Sequence, residues 1–338
     1  MKKAVILGER KAGLVDVPDP QPKQDWALVK VYATPMCTEY KGFVAGRTSD
    51  YLGHEAAGEV AAVAQPGRVK VGDRVVVMPQ YPCGKCELCV SGDYIHCEHS
   101  YNFAAFVGSR EGSATYAQYL LKPSWLLPAI PEGVSYEHAS LACCALGPSF
   151  NAFDQMAVDA FDTVLITGLG PVGLGGVVNA RFRGARVIGV EAVPYRAQRA
   201  RELGAEVVLD PNADDLPAQV RRLTGGRGAD TSLDCSGTVK AHRLCIDATR
   251  RRGHVAFVGE CGQDTPIKVS PDLIRKGLTL HGPWHYNLAL FPQIMKVIQQ
   301  SPVIDQLISH VIPMSEVQRA FELSASHQCA KVILKPWE

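Results

Sequence analysis

Apolar positions along the chain change rhythm near residue 150. Before it, short runs such as Ala27-Leu-Val-Lys-Val-Tyr-Ala33 and Arg74-Val-Val-Val-Met78 are separated by turn formers such as Pro66-Gly67 and Gly72-Asp73. That pattern predicts a compact β-rich barrel, not a parallel sheet. After it, apolar runs of strand length recur over residues 164–166, 187–190, 206–209, 231–235, 254–258 and 278–281, with helical stretches between, such as 195–203 closed by Gly204. Six strands alternating with helices predict a doubly wound parallel sheet. From about Gly282 the chain should return to the first domain, with amphipathic helices over 291–300 and 316–323 and a closing strand over 331–334. Trp284-His285-Tyr286 lies at that return and reads either as a lining of a substrate cleft or as a core aromatic cluster. Arg250-Arg251-Arg252 has the look of a patch for anions, but reads better as the solvated end of a helix, its charges matched to the helix dipole.

Residues 163–191 have the form strand, tight turn, helix, strand, acid. The turn is Gly168-Leu169-Gly170-Pro171-Val172-Gly173, with another glycine at Gly176, and the second strand ends in Glu191. Gly168 permits the sharp turn, Gly170 leaves room for a pyrophosphate, and Gly173 and Gly176 let the helix lie close on the sheet. Pro171 falls in the first helical turn, where its missing N–H costs nothing, and the free N–H groups there attract phosphate. Glu191 can accept hydrogen bonds from both ribose hydroxyls and would repel a 2′-phosphate, which favours NAD. Arg196 and Arg199 nearby keep NADP open as the less favoured choice. The alternative is an ordinary βα turn, but strand, helix and acid all stand where a dinucleotide-binding unit needs them. Ser236 and Gly259 sit at carboxyl ends of strands, where such sheets bind their ligand; plain turn chemistry explains them equally well.

Length adds a second domain: 338 residues suffice for two cores. Charge excludes some partners, since 35 basic and 34 acidic residues give no electrostatic case for nucleic acid or an anionic membrane. No apolar run is long enough for a membrane span, and Lys2-Lys3 before Ala4-Val-Ile-Leu7 reads as a first strand, not a signal peptide. Eleven cysteines without a secretion signal point to a reducing, cytoplasmic setting, where thiols bind metal or do chemistry.

Four of those cysteines, Cys83-x2-Cys86-x2-Cys89-x7-Cys97, share a short loop over about 82–98, a spacing suited to a closed, structural, tetrahedral zinc. An iron–sulfur cluster is the competing reading, weakened because no proline follows Cys97 and the last spacing is long. Cys235, Cys245, Cys261 and Cys329 show no ligand spacing and read as buried packing residues. Taken alone, Cys37 and His54 read as a buried small residue and a satisfied core histidine.

Taken in order, Cys37, Gly53-His54-Glu55-x-x-Gly58, the four-cysteine loop and Gly168-x-Gly170-x-x-Gly173 resemble the zinc-dependent medium-chain alcohol dehydrogenase family, over essentially the whole chain. The resemblance implies a GroES-like catalytic domain over 1–148 and 284–338 and a Rossmann domain over 149–283. It makes Cys37, His54 and Cys144 ligands of a second, catalytic zinc, with Cys143 as the fallback for the third position and Glu55 as a neighbouring or alternating ligand. It implies two zincs per chain, NAD, and hydride transfer to or from a secondary alcohol, polyol or ketone, in a homo-oligomer of the polyol and threonine dehydrogenase branch. One departure stands out: Thr38 follows Cys37 directly, where the family has an intervening residue. Thr38 is then the expected proton-relay hydroxyl, Glu39 could reach the site instead, and the histidine relay of some members is absent. Two other readings are a zinc-independent quinone or enone reductase of the same superfamily and a non-catalytic NAD-binding protein.

Overall fold

The computed structural model describes all 338 residues and divides into two units: Met1–Cys144 with Asn287–Gln299 and Ile308–Glu338, and Ala145–Tyr286 with Gln300–Leu307.

The first unit is built on the strand Trp26–Pro35. Its alternating Ala27, Val29 and Val31 are fully buried against Val60, Val75 and Leu120. This strand pairs antiparallel with Ala56–Val63, Tyr119–Pro123 and Lys331–Lys335, so the C-terminal strand completes the sheet that the N-terminal half begins. Gly58 has to be glycine for this pairing, because a Cβ there would stand 2.1 Å from the Lys30 carbonyl oxygen. The returning helix Val317–Ser326 brings Phe321 onto Phe43, stacked at 5.0 Å.

The second unit carries six parallel strands in the order Thr279–His281, Thr249–Phe257, Ala229–Asp234, Thr163–Thr167, Arg186–Val190, Val207–Leu209. The chain runs outward from Thr163–Thr167 in one direction, then crosses back to start again at Ala229–Asp234, which makes the sheet doubly wound. The crevice at that reversal, by the carboxyl ends of the strands, is where such sheets bind ligands.

Two expectations need correction. Arg250, Arg251 and Arg252 lie in the strand Thr249–Phe257, not at a helix end. Arg250 pairs with Asp230 at 2.6 Å and Arg251 donates to the Arg275 carbonyl. Fixed partners thus hold two of the three cations in a strand whose neighbours the sequence pattern does not show. Among the unassigned cysteines, Cys245 and Cys329 are buried, whereas Cys235 and Cys261 are partly exposed.

Candidate active site

Cys37 lies two residues beyond the central strand of the first unit, and His54 follows a glycine in the left-handed region. Gly53 has φ +82°, and a Cβ on it would fall 2.2 Å from the Tyr116 ring, so only glycine lets the chain turn there. Glu39 then orients the imidazole: its Oε1 is 3.0 Å from Nδ1 of His54. Its other oxygen accepts from the Tyr116 hydroxyl at 2.9 Å and the Cys37 amide at 3.1 Å. With Nδ1 engaged, Nε2 faces Cys144 Sγ at 3.2 Å. One ligand atom each from Cys37, His54, Glu55 and Cys144 lies within 4.8 Å of the others. Cys143 points away, its sulfur toward the Val77 carbonyl.

Beneath this cluster lies an ion pair with no solvent exposure on either side. Lys331 Nζ stands 2.6 Å from Glu55 Oε1, while Glu55 Oε2 accepts from the Cys144 amide at 3.0 Å. Burial lifts Glu55 to about 7, against the pull of the Lys331 ammonium. A hydrogen bond from Cys144 holds the Cys37 thiol well below its ordinary range, and the same bond holds Cys144 up. Burial would lower His54, but its bonds to Cys37 and Glu39, with their charges, push it up to about 11. The donor set therefore concentrates negative charge that a proton must neutralise when no cation is present. A divalent cation among two sulfurs and Nε2 meets the same demand, so the residues fit a metal.

In the four-cysteine loop the sulfurs stand 3.5 Å (Cys86–Cys89), 3.6 Å (Cys83–Cys97), 3.8 Å (Cys86–Cys97) and 4.0 Å (Cys83–Cys89) apart. Tetrahedral zinc with sulfur at about 2.3 Å needs edges of about 3.8 Å. One ion spans these separations; a multi-iron cluster needs a wider cage, and a disulfide needs sulfurs at bonding distance. The amides of Cys86 and His99 also point at Cys83 and Cys97 sulfurs, at 3.4 Å each, as they would at thiolates.

In the second unit Gly168 has φ +78°, and a Cβ there would meet Ser236 at 2.7 Å; a Cβ on Gly173 would stand 2.0 Å from the Gly168 carbonyl. Gly176 does lie close on the sheet, where a Cβ would stand 3.1 Å from Leu233 and 3.3 Å from Ile166, and its neighbour Gly175 packs closer still on the other side, 1.7 Å from the Ala145 carbonyl. Pro171 and Val172 open the helix Pro171–Phe182, and Gly170 faces open space apart from the Arg196 guanidinium. The Nε of Arg196 is buried without a hydrogen-bond partner, as suits a group awaiting an anion. Glu191 accepts from the Leu169 amide at 2.7 Å and the Val193 amide at 2.9 Å, and it lines a cavity of about 470 Å³ with Gly168, Ser236 and Leu216. Ser236 donates to Asp234, and Gly259 touches Gly237 so closely that a Cβ would stand 2.2 Å from its nitrogen. These residues fit a dinucleotide.

Residues 23–132 match the family described as alcohol dehydrogenase GroES-like domain, and residues 171–300 match zinc-binding dehydrogenase. Over 96% of its length the chain is 31% identical to L-threonine 3-dehydrogenase of Pyrococcus furiosus, of which 95% is covered. The chain belongs to the zinc-type medium-chain alcohol dehydrogenases. Sorbitol dehydrogenase of Halalkalibacterium halodurans is 30% identical, with 99% of each chain covered. The structure of alcohol dehydrogenase TADH from Thermus sp. ATN1 superposes with a TM-score of 0.89 at 25% identity, covering 99% of both chains. As a member of this family the protein is an NAD(P)-dependent alcohol dehydrogenase acting on CH–OH donors.

Other features of this dehydrogenase could not be read ahead. Lys331 opens the closing strand Lys331–Lys335, which a second lysine ends, and Tyr116 lies outside every motif, so nothing in the sequence marks either as part of the site. Glu39 reaches the site, but both of its oxygens are engaged with His54, Tyr116 and the Cys37 amide. Thr38 is exposed beside Cys37, and its hydroxyl makes no hydrogen bond to the cluster. Tyr286 is fully buried while Trp284 is 42% exposed, so the aromatic triplet divides between core and surface.

Proposed function

We propose that this chain is a zinc-dependent oxidoreductase that moves a hydride between a secondary alcohol or polyol, or its ketone, and NAD, with two zinc ions per chain. The observation that carries the reading is the convergence of Cys37, His54 and Cys144, with Glu39 turning Nε2 of the imidazole inward. These three hold the first ion, with Glu55 beside them, and Cys83, Cys86, Cys89 and Cys97 hold the second. Bound zinc supplies Lewis acidity for the substrate oxygen, and bound NAD supplies the hydride acceptor. Three protein ligands leave one coordination position for substrate, whereas the four-cysteine set is closed. Thr38 Oγ1, exposed next to Cys37, hands the substrate proton outward. Relatives named for sorbitol and for the 3-position of L-threonine support an alcohol of this class.

Purified enzyme should contain two zincs per chain by metal analysis and should produce NADH from at least one member of a secondary alcohol and polyol panel. One zinc or none, with no NADH from any of them, overturns the reading. Cofactor choice rests on Glu191, whose carboxylate is anchored by two amides and keeps lone pairs for the ribose hydroxyls. Glu191→Ala should lower kcat/KM for NAD by about tenfold to a hundredfold through the lost ribose bonds. With the repulsion of a 2′-phosphate removed, the NAD-to-NADP efficiency ratio should fall further. An unchanged ratio sinks this assignment.

A further inference from the structure

His242 lies in the helix Val239–Ala248, packed on the Phe257 ring at 4.7 Å, and only 8% of its side chain is exposed. Its Nδ1 is 2.6 Å from the Thr265 hydroxyl. Its Nε2 stands 3.2 Å from Asp234 Oδ2, at ion-pair distance but off hydrogen-bond alignment. With the ring proton on Nε2, toward the carboxylate, Nδ1 accepts from Thr265. Asp234 is itself fully buried and organises the strand ends around it. Its carboxylate takes the Ser236 amide and hydroxyl and the Gly237 amide, and its carbonyl takes the Val258 and Gly259 amides.

Thr265 and Gly259 bound a short segment, Glu260 to Asp264, that is mostly exposed; its one side-chain bond is internal, from the Cys261 thiol to the Gln263 carbonyl. Beyond Thr265 the chain is pinned again. Arg243, next to His242 on the helix, donates to the Pro266 carbonyl at 3.1 Å and to Asp272 at 2.7 Å. Consecutive helix residues thus hold consecutive loop residues, and the segment between Gly259 and Thr265 is left as a flap. It borders a cavity of about 490 Å³ whose walls include His242, Val258, Gly259 and Thr265. Glu191 marks the adenosine half of the sheet and the glycine loop takes the pyrophosphate. A dinucleotide crossing the point of strand reversal therefore brings its nicotinamide half toward Val258 and Gly259.

We propose that His242 is a positioning residue that fixes the Glu260–Asp264 flap beside the nicotinamide half of the cofactor site. It does so by joining the two ends of the flap: Thr265 through Nδ1, and Asp234, which anchors Gly259, through Nε2. The cofactor assignment rests on the proposed function; the latch itself does not. Losing the latch leaves the zinc ligands untouched but lets the flap open, so that bound cofactor is held less tightly.

The test uses Thr265→Val, nearly isosteric, together with His242→Leu, which keeps a side chain on Phe257, and Thr265→Ser as the conservative rescue. Two readouts apply to the purified, zinc-loaded enzyme: the rate of cleavage after Glu260 by a glutamate-specific protease, and the Kd for NADH by fluorescence titration. Thr265→Val and His242→Leu should each raise both by about fivefold to tenfold, the worth of one buried hydrogen bond. Thr265→Ser should restore both, and the double variant should resemble either single one. Wild-type values in Thr265→Val for both readouts overturn the latch, as does additivity of the two substitutions. If the wild-type enzyme does not bind NADH, the cofactor reading fails, and protease cleavage alone still decides whether the latch exists.

Discussion

Cys144→Ala should leave the enzyme with one zinc in place of two and lower kcat/KM by at least about a thousandfold. The remaining ligands, Cys37 and His54, offer two donor atoms where a stable catalytic zinc site uses three. Lewis-acid stabilisation of charge on the substrate oxygen is worth several kcal/mol, and each 1.36 kcal/mol is about tenfold in rate. The control lies one residue away: Cys143 is also buried, but its sulfur faces the Val77 carbonyl, 3.7 Å off. Cys143→Ala should keep both zincs and most of its turnover, paying only a small packing cost. Metal analysis and NADH absorbance on the two variants decide the matter. Two zincs and full turnover in Cys144→Ala would remove this residue from the metal site.

The second large effect falls on folding. Glu55→Gln leaves the Lys331 ammonium, which has no solvent exposure, without its counter-charge. Breaking one side of a buried pair typically costs about 3 to 5 kcal/mol, because the orphaned charge has lost both water and partner. For a unit of this size that corresponds to a fall of roughly 10 °C in Tm. The double variant Glu55→Gln with Lys331→Met removes the orphaned charge and should unfold well above the single variant, nearer to wild type. Thermal unfolding of the wild type and the three variants tests this. If the two single losses simply add in the double variant, the pair is not the unit of stability described above.

The same pair ties the Cys37, His54 and Cys144 cluster to the closing strand. Glu55 binds the Cys144 amide with one oxygen and Lys331 with the other, so the C-terminal strand supports the backbone at residue 144. Glu39 does the corresponding work on the other side, joining His54, Tyr116 and the Cys37 amide. Thr38 stands outside both networks and faces solvent.

How much of this was legible in sequence depended on how far apart the partners lie along the chain. The four-cysteine loop, the glycine turn with its acid, the six-stranded parallel sheet and the β-rich first domain could all be read from residue order. In each, the chemistry is set by spacing over a few residues or by a repeating apolar period, and backbone geometry converts such spacing into position directly. The choice of Cys144 over Cys143 came from resemblance to a family, and the folded chain shows why it matters: adjacent residues point in opposite directions. Only the tertiary structure decided that Glu39 orients His54, that Tyr116 supports it, that Lys331 neutralises Glu55 and that three consecutive arginines run along a strand. It also showed that Gly175 lies against the Ala145 carbonyl, and that His242 stands between Asp234 and Thr265. Those pairings join residues brought together by packing, with side-chain separations along the chain that reach 276 residues for Glu55 and Lys331. No local period records them, because their energy comes from burial and charge neutralisation that exist only once the chain has closed on itself.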